Sequence, residues 1–262
     1  MKLIQRHGYI EFLRRNRERS IIKVVSGIRR CGKSTLFRLF KDELLAEGVK
    51  PEQIISINFE DLEYEPLRDY HRLYQYILEQ MQPNQMNYIF LDEIQHVDQF
   101  HRVVDSLFVK ENTDIYITGS NAYFMSSDIA TLLTGRYVEI QMLPLSFAEF
   151  YYSKYTEQQY SLIPAYEVYL RESSFPYTQQ LGGEDFDIQE YLRGLYNTLL
   201  LHDVVARLKI NDVTILQDIV RYIMANVGSL LSPNKIAKSL VSAGRKIDNK
   251  TVERYLQGLQ DS

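Results

Sequence analysis

Several residue types that would assign the chain to a special class of protein are rare or missing. The 262 residues include a single cysteine, Cys31, and no tryptophan. One cysteine excludes a framework of internal disulfides and is typical of a protein in a reducing cytosol. No apolar run approaches the roughly 18 residues of a membrane helix, and the amino terminus lacks the apolar segment of a secretory signal. The sequence therefore predicts a cytoplasmic protein without a membrane span.

An excess of positive charge is also missing. Lys and Arg number 30 against 34 Asp and Glu, which gives a formal net charge of −4. The chain as a whole therefore does not match the charge of nucleic acid, although a local basic patch is compatible with this balance. Hydrophobic residues make up 45% and charged residues 24%, as in an ordinary globular protein with one large domain or two modest ones.

Short apolar strands alternate with helical segments over the first 144 residues. This alternation predicts an α/β fold, a parallel sheet with helices on both faces. The predicted strands are 21–25, 54–59, 88–91, 114–118 and 137–140, and the predicted helices between them are 33–47, 67–80 and 100–110. After Pro144 only helices are predicted, at 147–152, 163–171, 188–208, 215–226, 232–242 and 249–259. We place boundaries near 144 and 212, which gives segments 1–144, 145–212 and 213–262.

A glycine-rich stretch lies between the first predicted strand and the following helix. Its sequence, Gly27-Ile-Arg-Arg-Cys-Gly-Lys33-Ser34, matches the Walker A pattern of a phosphate-binding P-loop. The glycines let the backbone N–H groups curl around phosphate oxygens, and the helix dipole favours negative charge there. Lys33 is predicted to reach the β- and γ-phosphates, and the Ser34 hydroxyl to bind Mg²⁺. The predicted nucleotide-binding residues are Gly27, Ile28, Arg29, Arg30, Cys31, Gly32, Lys33, Ser34 and Thr35.

Two carboxylates end the predicted strand 88–91, as in a Walker B motif. Asp92 at the strand tip is predicted to hold Mg²⁺, and Glu93 to orient and deprotonate the attacking water. An acidic turn without function is the alternative. His96 and His101 have no Cys or second His at metal-ligand spacing, so the sequence predicts no zinc site.

Polar residues lie after the predicted strand 114–118 and directly before the predicted strand 137–140. Ser120 or Asn121, after strand 114–118, is predicted to sense the γ-phosphate, because the carboxyl ends of parallel strands face one crevice. The alternative is a turn that begins at Gly119. Arg136 is predicted to stabilise phosphoryl charge, either in its own subunit or as a finger in a neighbour's site. A surface arginine without that role is the alternative.

Five motifs together resemble a prokaryotic AAA-like ATPase family. They are 27–35, Phe-Leu-Asp-Glu-Ile-Gln at 90–95, Thr-Gly-Ser-Asn at 118–121, Leu-Leu-Thr-Gly-Arg at 132–136 and Leu-Pro-Leu-Ser-Phe-x-Glu-Phe at 143–150. The resemblance implies a P-loop ATPase core of the additional-strand, catalytic-glutamate (AAA+-like) type, with a helical lid and a winged helix behind it. In that family the nucleotide site corresponds here to Lys33, Ser34, Asp92 and Glu93, with Asn121 as sensor. Relatives often carry Gly-Gly-Phe-Pro-Glu in the lid, where this chain has Glu172-Ser-Ser-Phe-Pro-Tyr177.

Two classes of function follow from these observations. The first is an ATPase that uses ATP and Mg²⁺, releases ADP, and couples hydrolysis of the β–γ bond to conformational change. The second is a nucleotide-gated switch or a DNA-binding protein with little hydrolysis of its own, since the predicted winged helix carries a local basic cluster. The residues of that basic cluster are Lys235, Lys238, Arg245, Lys246, Lys250 and Arg254. A protein partner and an oligomer are compatible with either class.

Overall fold

A computed structural model of the chain describes residues 4–119, 133, 135–155, 161–181, 185–199, 204–208, 210 and 212–260. The chain divides into two units, Met1–Glu184 and Asp185–Ser262, and each contains a hydrophobic core. The predicted boundaries near 144 and 212 stay a prediction. Among the described helices, none is both long and apolar enough to span a membrane.

A sheet of five parallel strands lies at the centre of the first unit. The strands are β1 (Ile22–Gly27), β2 (Ile54–Asn58), β3 (Asn87–Asp92), β4 (Thr113–Gly119) and β5 (Tyr137–Met142), in the order β2-β3-β4-β1-β5. β1 and β3 are buried along their whole length, which agrees with their mostly apolar sequences, although β1 includes Lys23. The predicted parallel sheet is confirmed.

Helices cover both faces of this sheet because successive strand side chains point to opposite sides. Ile89 and Leu91 of β3 pack in a cluster with residues of α3 (Tyr70–Gln80) and α4 (Phe100–Phe108). Phe90 points the other way and packs with α1 (His7–Asn16) and α2 (Lys33–Ala46). There its ring stacks on Tyr116 of β4, with the ring centroids 4.7 Å apart. This two-sided arrangement agrees with the prediction.

One helix of the first unit starts later than the sequence suggests. The apolar spacing predicts a helix from residue 67, but α3 begins at Tyr70, after a 3-10 helix at Leu62–Arg68. The Asp69 side chain accepts a hydrogen bond from the Arg72 N–H at 3.0 Å and so caps the helix. The described residues of this unit also form α5 (Phe147–Lys154), α6 (Leu162–Glu172) and a 3-10 helix, Pro176–Gln180. α5 begins with a capping box formed by Ser146 and Glu149.

All the regular elements among the described residues of the second unit are helices. Its helices are α7 (Asp185–Asn197), α8 (Val205–Leu208), α9 (Val213–Ala225), α10 (Pro233–Ser242) and α11 (Asn249–Gln260). The predicted helix over 188–208 is not contradicted: α7 passes after Asn197 into a π-helical turn at 198–199, residue 204 is again π-helical before α8, and residues 200–203 lie outside the described residues. The helical C-terminal region is confirmed, and its assignment as a winged helix stays a prediction.

Candidate active site

The phosphate loop lies at the carboxyl end of β1, between that strand and α2. Gly27 pairs with Met142 of β5, and a Cβ atom at position 27 would lie 2.2 Å from the Met142 carbonyl oxygen. Gly32 precedes α2 with φ of 108°, in the left-handed region that favours glycine. Both glycines of the motif are therefore required by backbone geometry. The loop brings the chain to the amino end of α2, where the first N–H groups of a helix have no intrahelical partner.

Lys33 is buried and bonded to its own loop. Its Nζ donates to the Gly27 carbonyl at 3.0 Å and to the Ile28 carbonyl at 3.3 Å. The same nitrogen lies 3.3 Å from Glu93 Oε1, and both side chains are less than a tenth exposed. The predicted lysine and the predicted base thus meet directly, although 60 positions separate them in the sequence.

Asp92 lies at the tip of β3 and faces two hydroxyl groups. Burial raises the pKa of its carboxyl group, while hydrogen bonds from the Ser34 and Thr118 hydroxyls partly offset that shift. The structure therefore brings the two predicted metal ligands, Ser34 and Asp92, into contact. A hydroxyl and a carboxylate are hard oxygen donors, the kind that Mg²⁺ accepts beside the oxygens of a nucleotide phosphate.

Glu93 is held in an unusual backbone conformation. Its φ of 56° is left-handed, which is uncommon for a residue other than glycine. The Glu93 N–H donates to Thr118 Oγ1 at 2.9 Å, and Gln95 Nε2 donates to Glu93 Oε2 at 2.6 Å. These bonds fix the direction of the carboxylate. Thr118 and Gln95 were not predicted from the sequence; the signal for Thr118 was its place at the end of the strand beside β3.

Glu93 also belongs to a group of three side chains whose ligand atoms lie close enough together to hold a metal ion. Glu60, Glu93 and His96 each offer one ligand atom, and these atoms lie within 4.8 Å of one another. The spacing of the histidines along the chain did not reveal this group, because Glu60 follows β2 and the other two follow β3. Lys33 already compensates the charge of Glu93, and Arg29 lies 3.5 Å from Glu60 Oε1.

A cavity of about 440 Å³ adjoins the phosphate loop on the side of α2. Its wall includes Cys31, Gly32 and Thr35 of the loop region, and its volume is typical of a small-molecule site. Apolar side chains make up much of the rest, namely Leu36, Leu39, Met142, Leu145 and Pro176. Cys31 is fully buried, and this burial raises the pKa of its thiol.

Arg6 joins the amino-terminal segment to the wall of this cavity. The side chain is buried, and its guanidinium forms an ion pair with Glu149 at 2.6 Å. It also donates to the Cys31 carbonyl at 3.2 Å and to the Leu143 carbonyl at 2.8 Å. Arg6 was not predicted, because a sequence gives no sign that a residue so far from the motif supports the loop.

Arg136 lies away from the other predicted site residues. It precedes β5, whose Tyr137 pairs with Ile22 at the start of β1, whereas Gly27 at the other end of β1 pairs with Met142. Five residues of strand separate the two ends, roughly 17 Å at about 3.3 Å per residue. Arg136 NH1 pairs with Asp105 of α4 at 3.0 Å. The structure therefore does not bring Arg136 to the phosphate loop of its own chain.

The remaining predicted residues lie at the edge of the site or outside the described residues. Ser120 and Asn121 belong to the latter group, so their predicted role as sensors stays a prediction. Arg30 is exposed and has a left-handed φ of 64°, while Arg29 is half-buried beside Glu60.

The chain matches two family models. An AAA domain matches residues 19–151, about half of the chain, and a domain of unknown function, DUF8612, matches residues 163–262. The first match contains the phosphate loop, Asp92, Glu93 and Arg136. The second lies entirely within the helical part of the chain.

Two curated relatives are similar over nearly the whole chain. An uncharacterized protein of Haemophilus influenzae is 37% identical over 99% of this chain and 65% of its own length. The uncharacterized protein MJ1544 of Methanocaldococcus jannaschii is 32% identical over 92% of this chain and 55% of its own length. The chain thus spans between about half and two thirds of the length of these relatives.

One solved structure supports the fold across both units. The Walker-type ATPase paby2304 of Pyrococcus abyssi superposes with a TM-score of 0.63 at 17% identity. The match covers 98% of this chain and 89% of that protein. At this identity the similarity shows the AAA+-like fold alone.

Proposed function

This chain belongs to the AAA domain family, and from that premise we propose that it binds and hydrolyses ATP with Mg²⁺. One observation supports this most strongly: Lys33 and Glu93 meet at 3.3 Å at the end of the sheet where Ser34 contacts Asp92. A lysine for the phosphates, a pair of oxygen ligands and a buried carboxylate base are the groups that hydrolysis of a nucleoside triphosphate needs. The cavity beside the loop takes the nucleoside.

Lys33 changes partner during the proposed reaction. Without nucleotide its ammonium group bonds to the Gly27 and Ile28 carbonyls and to Glu93. The phosphates offer it stronger, fully charged acceptors, so nucleotide binding draws Lys33 away from the carboxylate. Glu93 Oε1 is then free to accept a proton from a water molecule in line with the β–γ bond.

Asp92 and Ser34 supply the protein's share of a Mg²⁺ site. Mg²⁺, when bound with the nucleotide, neutralises charge that develops on the β- and γ-phosphate oxygens. Thr118 links the two acidic residues, because its hydroxyl bonds to the Asp92 carboxylate and accepts from the Glu93 N–H. This threonine therefore couples the position of the metal ligand to that of the base.

The proposed hydrolysis is tested with Glu93→Gln. The amide keeps the size of the side chain but cannot take a proton, so we expect ATP binding to remain and phosphate release to fall about 10²- to 10⁴-fold. Glu63→Gln, at an exposed position after β2, is the control and should keep wild-type turnover. Equal turnover in wild type and Glu93→Gln would exclude Glu93 as the base. If both bind ATP and neither releases phosphate, the switch without hydrolysis is the better description.

Nucleic-acid binding by the second unit is the second candidate function. The basic side chains on α10, α11 and the turn between them are all exposed, as expected of a phosphate-binding surface. The charge of Arg245 is partly neutralised, since its side chain pairs with Asp218 at 2.7 Å. Binding of duplex DNA measured at two salt concentrations tests this candidate. Affinity that falls steeply with salt supports it, and an absent or salt-independent signal contradicts it.

For Arg136 we propose action in trans, since its own loop lies at the opposite end of the sheet. This role requires an assembly in which β5 of one subunit approaches the phosphate loop of another. A strictly monomeric protein that hydrolyses ATP at full rate would contradict the trans role.

A further inference from the structure

Gln179 presents an unused hydrogen-bond donor beside the nucleoside cavity. It lies in the 3-10 helix Pro176–Gln180 and forms part of the cavity wall. Its Nε2 atom is buried and has no hydrogen-bond partner among the described residues. A buried N–H without a partner is unfavourable, and native proteins rarely keep one without a reason.

The other end of the same amide is held in place. Ser153 of α5 donates to Gln179 Oε1, with the two oxygens 2.8 Å apart, and its Oγ also lies 2.7 Å from the Phe150 carbonyl. Ser153 lines the same cavity. The amide plane is therefore oriented by a neighbouring helix while the NH₂ group is left available.

The position of the cavity determines which part of a bound nucleotide the Gln179 amide can contact. The cavity begins at Gly32 and Thr35, directly beside the phosphate loop, and Pro176 lies 4.0 Å from the point where a Cβ of Gly32 would stand. A nucleotide whose phosphates occupy the loop therefore places its base among the apolar residues of this cavity, close to Gln179. This step rests on the proposed function.

We propose that Gln179 reads the nucleobase and selects adenine over guanine, with Ser153 as the residue that positions it. A glutamine amide offers one donor and one acceptor side by side. Adenine offers the complement, the ring-nitrogen acceptor N7 next to the N6 amino donor. Guanine presents N7 and O6 at the corresponding edge, two acceptors, so one of its atoms would face the Gln179 oxygen unpaired.

Competition of unlabelled nucleotides against a fluorescent ATP analogue tests the proposal. The competitors are ATP, GTP and purine riboside triphosphate, which lacks the N6 amino group. We expect wild type to prefer ATP over GTP roughly tenfold to hundredfold, the discrimination that one bidentate amide–adenine pair provides. Purine riboside triphosphate should bind more weakly than ATP to wild type.

Gln179→Ala should lower ATP affinity about tenfold and leave GTP affinity nearly unchanged, so that the preference largely disappears. It should also bind ATP and purine riboside triphosphate equally. Ser153→Ala, which removes only the orienting hydroxyl, should reduce the preference less. Gln80→Ala, at an exposed position on α3, is the control and should keep the wild-type ratio. Circular dichroism of each variant shows whether it is folded. If Gln179→Ala does not fold, Ser153→Ala provides the test instead.

Two negative results have different meanings. An unchanged ATP-to-GTP ratio in folded Gln179→Ala and Ser153→Ala overturns the role of Gln179 and leaves the proposed ATPase intact. Absence of binding of any triphosphate to wild type overturns the proposed function and the inference with it.

Discussion

Asp92 is a proposed metal ligand whose buried position is unfavourable for a charged carboxylate. Its carboxylate is desolvated and lies near the negative charge of Glu93, and both effects raise its pKa. A carboxyl group whose pKa is higher in the folded than in the unfolded state binds its proton more tightly when folded. The folded protein therefore loses stability as the pH rises through the range between the two pKa values.

Replacement of Asp92 by Asn should therefore stabilise the nucleotide-free protein while it removes the carboxylate that we propose as a metal ligand. The amide oxygen can still accept from the Ser34 and Thr118 hydroxyls, and no charge has to be buried. We expect a gain of about 0.5–2 kcal/mol in the free energy of unfolding at pH 8, together with loss of Mg²⁺-dependent phosphate release. Urea denaturation without nucleotide and a phosphate-release assay provide the two measurements.

The pH dependence of the gain in stability shows whether it comes from removal of the buried charge of Asp92. The gain of Asp92→Asn should shrink as the pH falls, because the raised pKa lets Asp92 increasingly take up its own proton and lose the cost of its charge. Asp42→Asn on the exposed side of α2 is the control and should change stability little at either pH. A gain that is equal at pH 5 and pH 8 would show that charge burial at Asp92 is not its cause.

At the scale of elements, the pairing of β1 with β4 depends on a charge pair at the end of the sheet opposite the site. Lys23 of β1 pairs with Asp114 of β4, and neither side chain is exposed to solvent. Burial lowers the pKa of the Lys23 ammonium, while the neighbouring Asp114 carboxylate opposes that shift. Asp114 Oδ2 also accepts from the Tyr116 hydroxyl at 2.7 Å and from the Glu18 N–H at 2.9 Å. Both charges therefore have hydrogen-bond partners besides each other.

Removal of one member of this pair should be costly. Asp114→Ala leaves a buried ammonium group without its counter-ion, and we expect it to lower the free energy of unfolding by about 3–5 kcal/mol. The double variant Lys23→Met with Asp114→Leu should recover much of that loss, because no charge then remains buried. Urea denaturation of the three proteins measures both effects.

An exposed pair in the same unit gives the matched comparison. Arg14 of α1 and Glu43 of α2 pair at 2.5 Å, yet the arginine side chain is half exposed. Glu43→Ala should cost less than about 1 kcal/mol, because solvent screens the pair. If Glu43→Ala and Asp114→Ala lowered the free energy of unfolding by similar amounts, burial would not be the reason for the large cost expected of Asp114→Ala.

At the scale of the whole molecule, the second unit has a core that does not depend on the sheet. The core of this unit includes Leu216, Ile219 and Val220 of α9, Ile236 and Leu240 of α10, and Val252 and Tyr255 of α11. A contiguous apolar core in a segment of this size is compatible with independent folding. The unit also coincides largely with the DUF8612 match at 163–262.

A fragment of residues 185–262 should therefore fold without the ATPase part. We expect a helical circular dichroism spectrum and one cooperative urea transition. Ile219→Ala should lower the stability of the fragment by about 2–5 kcal/mol, since the side chain is fully buried. Val227→Ala, at an exposed position after α9, should leave it nearly unchanged. A non-cooperative transition in the unsubstituted fragment would show that this unit needs the first one.

The part of the site that lies within short motifs could be predicted from the sequence. Gly27, Asp92 and Glu93 lie at strand ends, Lys33 begins the helix that follows the loop after β1, and parallel strand ends meet at one edge of a sheet. Fold class followed from the same alternation of strands and helices. Periodicity was less informative at the start of α3, where the Asp69 cap decides the boundary.

Residues that act from other elements could not be predicted. Arg6 and Gln179 lie in none of the five motifs, and Thr118 lies in one without an assigned role; the contacts of all three depend on which strands and helices pack together. The separation of Arg136 from the phosphate loop depends on strand direction and register, which the motif Leu-Leu-Thr-Gly-Arg does not encode. The ion pair of Lys23 could not be predicted either, because the sequence does not show that Asp114 lies beside it.

The tight fit of Gly27 against β5 has a consequence for mutational scanning. Every side chain at position 27 would push the Met142 carbonyl away and disturb the strand pair itself, whereas the proposed roles of Lys33 and Ser34 are in nucleotide and metal binding. The motif therefore contains two kinds of position. In a library scored for cellular abundance, substitutions at Gly27 would be depleted. Substitutions at Lys33 and Ser34 would persist there and disappear only under selection for activity.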